Sequence, residues 1–367
     1  MVTLLNCGII GLPLSGKTTI FNVLTGAGAQ VKSYASGKTE PNRAVVDVPD
    51  RRLEELATVY KPKKVTPAQI EFVDLAGLSR DASKGAGLGN AFLSFVADSD
   101  ALIHVIRCFD NPEVPHPEGS IDPLRDFGIV EMELIFRDLS VIENRLGRLS
   151  KKKVLQKEES EEKELLEKYR SHLFSERPLR ELKLPPEELK KIRGFSFLTL
   201  KPELIVLNLD ETQTTDKAIL GYEEMVHLAL SRGLSLIKAY GRIEMEMSDL
   251  SPEDQREFMK ELGIDELGRE RLIREAYKML GLITFFTVGH DEVRAWTIPL
   301  NSTALDAAGA IHTDMARGFI RAQVVHFDDF KEHGFSMAAA REKGLLRLEG
   351  KDYIVRDGDI IEIRFNI

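Results

Sequence analysis

The sequence predicts an α/β fold in three parts: a parallel-sheet domain, a helical hairpin inserted into it, and a small mixed β domain that follows. Three changes of texture predict it. Short apolar runs alternate with helical patterns up to about residue 130 and resume at Leu204. A charge-dense helical stretch separates the two, and from Ile283 onward strands dominate with only short helices between them. Strands alternating with helices read as a parallel sheet with crossover helices, whereas runs of strands with short turns read as a separate mixed β domain.

In chain order, Leu4–Ile10, Ala44–Val48, Ile70–Leu75 and Ala101–Arg107 are apolar runs bounded by turn residues, the mark of buried strands. Leu139, Ile142, Leu146 and Leu149 then recur at spacings of three and four, and Leu165, Leu166, Tyr169 and Leu173 form a second stripe. Between the stripes lies KKKVLQKEESEEKE, so two amphipathic helices packed as a hairpin are expected. Pro186 followed by EELKKI starts a short helix. Strands are expected at Leu204–Leu209 and Leu234–Ala239 with a helix at Asp216–Leu230 between them, then helices near Pro252–Leu262 and Gly268–Leu280. TFFTV, VRAWTI, FIRAQVV and DIIEIRF, with turns at Gly350-Lys351-Asp352 and Asp357-Gly358, make up the last part. The expected division is 1–132 with 198–280, the inserted 133–197, and 281–367.

Composition narrows the function classes. A chain of 367 residues holds two or three domains at about 150 residues each. Charged residues at 30% and hydrophobic residues at 43% exclude a wholly disordered chain. A net charge of −9 argues against coating nucleic acid over the whole surface, and two cysteines build no disulfide framework. Cys7 and Cys108 fall in expected buried strands and read as inert core thiols. No apolar run is long enough to span a bilayer, and the first residues lack the basic flank and cleavage site of a signal peptide. A soluble cytoplasmic protein with no membrane role is the expectation.

Gly11-Leu12-Pro13-Leu14-Ser15-Gly16-Lys17-Thr18 fits G-x-x-x-x-G-K-[ST], after an expected strand and before the helical pattern Thr19–Leu24. Gly11 and Gly16 let backbone N–H groups, including those of Leu14, Ser15 and Thr19, turn around an anionic phosphate at a helix N-terminus. Lys17 neutralises the β- and γ-phosphates, and the Thr18 hydroxyl ligates Mg²⁺. The run Ile70–Leu75 ends in Asp74-Leu75-Ala76-Gly77, a D-x-x-G in which Asp74 holds Mg²⁺ through water and Gly77 gives its N–H to the γ-phosphate. Thr39 is the natural switch threonine for the remaining metal position, with Thr25 and Ser36 as competitors.

These residues, together with TEPNRAVVDVPDRRLEEL, DLAGLSRDASKGAGLGNAFL, RCFDNPEVPHPEG, FSFLTLKPELIVLNLDE and GLITFFTVGHDEVRAWTI, resemble the YchF-type Obg-like ATPases over the whole chain. The resemblance implies a P-loop NTPase G domain with an inserted α-helical hairpin and a C-terminal TGS domain with a ubiquitin-like β-grasp. It also implies ATP hydrolysis and ribosome binding. At Asn208-Leu209-Asp210-Glu211, where GTPases carry N-K-x-D, Leu stands for the lysine and Glu for the aspartate. That departure disfavours guanine, whose edge needs the carboxylate, while Asn208 can still pair with adenine N6 and N7 and Leu209 gives apolar contact. Leu78 stands where a water-orienting glutamine is usual, and the resemblance offers His116, in a proline-flanked loop, as the catalytic residue instead.

Two departures from the family pattern stand out: Lys38 replaces a common cysteine, and Asp81 and Ala86 alter the segment after D-x-x-G. Arg145, Arg148, Lys151, Lys152 and Lys153 form a basic cluster that reads either as a ribosomal RNA contact or as a solvated helix face. The TGS resemblance likewise suggests RNA contact. A monomeric, ribosome-associated ATPase switch with Mg²⁺ leads; a true GTPase in ribosome assembly and a nucleotide-gated regulator with slow hydrolysis remain as alternatives.

Overall fold

The computed structural model describes residues 4–26, 30–32, 41–74, 90–247, 250–262 and 268–366. Its strands in chain order are β1 (Asn6–Ile10), β2 (Gln30–Lys32), β3 (Asn42–Asp47), β4 (Lys64–Thr66), β5 (Gln69–Asp74), β6 (Ala101–Arg107) and β7 (Glu203–Asn208). They continue as β8 (Ser235–Ala239), β9 (Leu282–Thr287), β10 (Glu292–Pro299), β11 (Phe319–His326), β12 (Arg347–Glu349) and β13 (Asp359–Phe365). The main helices are α1 (Lys17–Thr25), α2 (Arg51–Tyr60), α3 (Asn90–Asp98), α4 (Pro123–Ser150), α5 (Lys157–Phe174) and α6 (Pro186–Ile192). After them come α7 (Tyr222–Arg232), α8 (Gly241–Met247), α9 (Pro252–Leu262), α10 (Gly268–Met279) and α11 (Ala304–Ile311).

The chain forms two compact units: Asn6–Ala44 with Phe72–Leu272, and Met1–Leu5 with Val45–Glu71 and Ile273–Ile367. The first is built on a sheet of order β2-β3-β5-β1-β6-β7-β8, in which β1, β6, β7 and β8 run parallel. Every residue of β6 and β7 is buried, the pattern of parallel strands covered on both faces. Arg107 pairs with Asn208 and Asn208 with Ala239, so the strands end together and the loops that leave them gather at one edge. In open α/β sheets that carboxyl edge is where ligands bind.

Helix α4 starts at Pro123, well before the expected hairpin boundary, because its first turns cover the sheet: Val130 and Leu134 join Ile10, Val73 and Leu102 in one core cluster. Asp122 caps it by accepting from the Arg125 N–H at 3.0 Å, with Pro123 next in line. Further along, Ile142 and Leu146 of α4 meet Leu166, Tyr169 and Leu173 of α5 in a separate core, which is the expected hairpin. The helix expected at Asp216–Leu230 is a 3₁₀ turn at Asp216–Ala218 followed by α7; Gly221, with φ 69°, breaks the two apart. Among the described residues no helix is long and apolar enough to cross a membrane.

At the foot of the hairpin lies a buried ion network. The Arg180 guanidinium reaches Glu131 at 2.9 Å and Glu203 at 2.6 Å, and Glu203 also bonds His104 Nδ1 at 2.8 Å. Burial and mutual repulsion raise the Glu131 carboxyl, while Arg180 and His104 hold that of Glu203 down against its burial. Nearby, Asp138 accepts from the N–H groups of Leu198 and Thr199 at 2.8 Å each and from the Thr199 hydroxyl at 2.6 Å. These bonds fix the point where the chain returns from the hairpin.

The second unit has a sheet of order β12-β11-β13-β9-β10-β4. The β9–β10 hairpin is followed by α11 and by β11, and β13 returns to lie parallel to β9. That is the β-grasp arrangement. The expected turns occur where Tyr353 N–H bonds Gly350 and where Gly358 takes φ 89°. Sequence grouped residues 45–71 with the first domain; their ends, in β3 and β5, belong to the first sheet, yet between them β4 pairs with β10, and Arg52 of α2 bridges Asp357 at 2.7 Å. A three-residue strand carries too little periodicity to be read in advance.

Candidate nucleotide site

The loop after β1 has the strained backbone the motif demands. Gly11 takes φ 144° and Gly16 φ 92°; a Cβ on Gly11 would strike the Val105 carbonyl, and one on Gly16 the Asn208 amide. Leu14, between them, is left-handed at φ 61°, a cost of roughly 1–3 kcal/mol for a non-glycine that marks a functional loop. Helix α1 has no side-chain cap and no acidic residue in its first turn. Its positive end, with the N–H groups of Lys17, Thr18 and Thr19, is therefore open to an anion.

Lys17 is 3% exposed and held by the carbonyls of Gly11 at 3.0 Å and Leu12 at 2.6 Å. Burial pulls its amine down to about 8, partly countered through space by Asp74. A buried ammonium whose hydrogen bonds among the described residues go to carbonyls, with Asp74 acting on it through space, carries positive charge that burial penalises. The Thr18 hydroxyl donates to Asp74 Oδ2 at 3.0 Å, so the two metal candidates stand side by side as the motif requires. Among the described residues no three His, Cys, Asp or Glu side chains cluster as a metal site. A cation here would take most of its ligands from phosphate and water, the habit of Mg²⁺, and the hydroxyl–carboxylate pair fits that ion.

Asn208, at the end of β7, donates to the Ser15 carbonyl at 3.1 Å and accepts from the Gly241 N–H at 3.3 Å. Both ends of its amide are engaged, tying the phosphate loop to the first residue of α8. Pairing with adenine N6 and N7, expected from sequence, would have to use the second N–H and the second lone pair of the same amide. Leu209 is 2% exposed and lies in the core with Ile219 and Met225, so its side chain faces the core, not a base. Glu211 is exposed beside them. Thr39 and Gly77 lie outside the described residues, as do Ser36, Lys38, Leu78, Asp81 and Ala86.

The loop that carries His116 is exposed at Pro115, Pro117 and Glu118, as the prolines suggested, but the imidazole is not. It is 6% exposed, and its Nε2 lies 2.9 Å from Asp126 Oδ2. It shares with Leu12, Pro13 and Ser15 of the phosphate loop a gap too tight for water. Sequence reading missed two further residues there, Arg107 and Asp126; the signal available was a charge at the end of an apolar strand and another in the first turn of an apolar-faced helix. Cys7 and Cys108 are buried, and burial pushes both thiols up, that of Cys108 to about 12, so neither is a thiolate near neutral pH. At the hairpin tip, Arg145 pairs with Glu162 at 2.7 Å and Lys152 with Glu159 at 2.5 Å, while Arg148, Lys151 and Lys153 stay exposed.

Residues 6–136 match a family model described as 50S ribosome-binding GTPase, and residues 282–366 match YchF-GTPase_C, described as a protein of unknown function. The chain is 43% identical over 362 residues to the ribosome-binding ATPase YchF of Pasteurella multocida, covering 98% of this chain and 99% of that one. The chain belongs to the YchF family. YchF of Bacillus subtilis, also named a ribosome-binding ATPase, is 41% identical over 367 residues, 99% of this chain and 100% of its own. A solved structure, the YchF GTPase of Schizosaccharomyces pombe, superposes with a TM-score of 0.87 at 33% identity, over 98% of this chain and 97% of that chain. The YchF assignment thus spans the phosphate loop, the hairpin and the β-grasp unit together.

Proposed function

We propose that this protein is a ribosome-binding ATPase, a slow P-loop hydrolase whose nucleotide state sets its affinity for the ribosome. The observation that carries the reading is Lys17, a buried cation solvated by carbonyls at the open N-terminus of α1, with Thr18 and Asp74 beside it. In this reading a triphosphate lies along the Gly11–Thr19 loop, and Mg²⁺ sits on the Thr18 hydroxyl and, through water, on Asp74. Thr39 and Gly77 complete the metal and γ-phosphate contacts, and His116 acts on the attacking water in place of the missing glutamine. The relatives named ribosome-binding ATPases, 41% and 43% identical to this chain, support both halves of the proposal.

The same reading takes the protein as a cytoplasmic monomer of three domains, 1–132 with 198–280, 133–197 and 281–367, the last a TGS domain, with the stretch that carries α2 and β4 packed in the second unit. Exposed Arg148, Lys151 and Lys153 at the hairpin tip, or the TGS domain, would meet ribosomal RNA. A GTPase is the competing reading, favoured by the GTPase name of the Schizosaccharomyces pombe protein and by the description of the family that residues 6–136 match. Calorimetric titration with ATP and GTP in Mg²⁺ decides between them: tighter ATP binding is expected, and tighter GTP binding overturns the ATPase reading. Cosedimentation with ribosomes should depend on a non-hydrolysable ATP analogue. Equal pelleting with and without it would defeat the switch.

A further inference from the structure

We infer that Asp126 and Arg107 are positioning residues for His116: Asp126 fixes the protonation of the ring so that Nδ1 is its accepting nitrogen, and Arg107 fixes the loop that carries the ring. The inference rests on the proposed role of His116. Its geometric basis begins with the ring itself. The Glu118 N–H lies 3.1 Å from His116 Nδ1. A backbone N–H only donates, so Nδ1 carries the lone pair and a neutral ring has its proton on Nε2. That Nε2–H is then given to Asp126 Oδ2 at 2.9 Å.

Asp126 is itself pinned. Its other oxygen accepts from Arg125 Nε at 3.0 Å and Nη2 at 2.8 Å, and its carboxylate is 4% exposed. An acid placed in a first helical turn only to meet the helix dipole, worth about 0.3–1 kcal/mol, has no need of burial or of a histidine partner. A buried carboxylate on one nitrogen of an imidazole, with the other nitrogen left to accept, is the arrangement by which a base is oriented toward its proton donor. The Glu118 N–H that now occupies Nδ1 belongs to the turn His116–Gly119, closed by the Gly119 N–H on the His116 carbonyl at 3.0 Å. Reopening that turn frees Nδ1 for water without disturbing the Asp126 contact.

Arg107 acts one step further back. It is the last residue of β6, 3% exposed, with its guanidinium over the Phe109 ring at 4.6 Å. Its Nε donates to the Phe109 carbonyl at 3.2 Å and its Nη2 to the Val114 carbonyl at 2.8 Å. One cation thus holds the loop at both ends of its first half, two residues before His116. Its Nη1 has no partner among the described residues, and neither has Ser15 Oγ; both residues line the gap shared with His116 and Asp126. Arg107 is committed to the loop and faces the phosphate side at once.

The test combines kinetics with nitrogen NMR of the full chain labelled on histidine. The parent should show His116 as the Nε2–H tautomer, its signals assigned by their loss in His116→Ala. Asp126→Ala and Asp126→Asn should mix the tautomers and lower kcat by about 10–100-fold, with KM for ATP within about twofold. Arg107→Gln should lower kcat by about tenfold and leave the tautomer unchanged. His116→Ala/Asp126→Ala should be no slower than His116→Ala, because Asp126 acts through the ring. Parental turnover in His116→Ala alone would sink the role of the histidine, and this inference with it. A slow His116→Ala beside parental kcat and an unmoved tautomer in the Asp126 variants would sink the inference and spare the histidine. An additive loss in the double variant would also overturn it.

Discussion

Two buried cations in the same unit, Lys17 and Arg180, are held in opposite ways. Lys17 rests on two main-chain carbonyls, and burial lowers its pKa to about 8. Arg180 lies between Glu131 and Glu203, whose charges outweigh burial and raise its pKa. The difference separates a site from a scaffold. A buried cation whose charge is matched inside the protein serves the fold, whereas one left to carbonyls is a debt that an incoming anion discharges.

The largest expected effect tests the matched cation. Arg180→Met takes the shared cation from Glu131 and Glu203, leaving Arg232 at 3.4 Å from Glu131 and His104 at 2.8 Å from Glu203, and should cost about 3–5 kcal/mol in chemical denaturation. Replacing all three by apolar residues of similar volume should recover most of that loss, since the ions stabilise one another more than the fold. Lys17→Met breaks the comparison from the other side. MgATP affinity should fall by at least about 100-fold, roughly 2.7 kcal/mol in calorimetry. The free energy of unfolding should stay level or rise, because a penalised buried charge is gone. Were Lys17→Met strongly destabilising with nucleotide absent, the lysine would be structural after all.

Asp138 sharpens the contrast with a buried anion. Burial raises its carboxyl from 3.8 to about 6 against the pull of its three donors. Because the folded value lies above the unfolded one, the native state takes up a proton as pH falls through about 6, and the parent gains stability over that window. An amide at 138 keeps one acceptor oxygen and turns its NH₂ toward either the Leu198 N–H or the Thr199 donors. Asp138→Asn should therefore cost about 1–3 kcal/mol at pH 7 and about 1 kcal/mol more at pH 5, where only the parent gains. A cost that shrinks on acidification would refute the sign.

The same contrast governs how much was legible in the sequence. The phosphate loop was readable because its chemistry is local: backbone at φ 144° and 92°, with no room for a Cβ, admits only glycine. Strand β6 matched the apolar run Ala101–Arg107 because both faces are buried. Arg180, Glu131 and Glu203 were not readable, since their partners lie on four separated segments and a charge near a polar hairpin looks solvated. Asp138 left a trace, one helical turn from Leu134 and Ile142 on the apolar stripe of α4, where a charged residue is out of place. Asn208 was seen but its use was not, because the Ser15 carbonyl it holds is set by the fold rather than by the motif.

The base end of the site therefore carries the smallest and most discriminating prediction. With Asn208 engaged by Ser15 and Gly241, Leu209 turned into the core, and Asp210 Oδ1 bonded by the Thr212 N–H and hydroxyl, the exposed carboxylate of Glu211 is the group the proposed reading sets against a purine edge. Its extra methylene relative to aspartate sets where that carboxylate lands. Glu211→Asp shortens the reach and, placing the charge where a guanine edge offers two N–H donors, should raise GTP affinity relative to ATP by about tenfold, roughly 1.4 kcal/mol. Leu209→Lys, the other change toward N-K-x-D, should instead cost stability, because it buries an amine in an apolar cluster. If titration finds the ATP-to-GTP ratio unmoved in Glu211→Asp, the purine is chosen elsewhere, and the cradle discriminates by its phosphates alone.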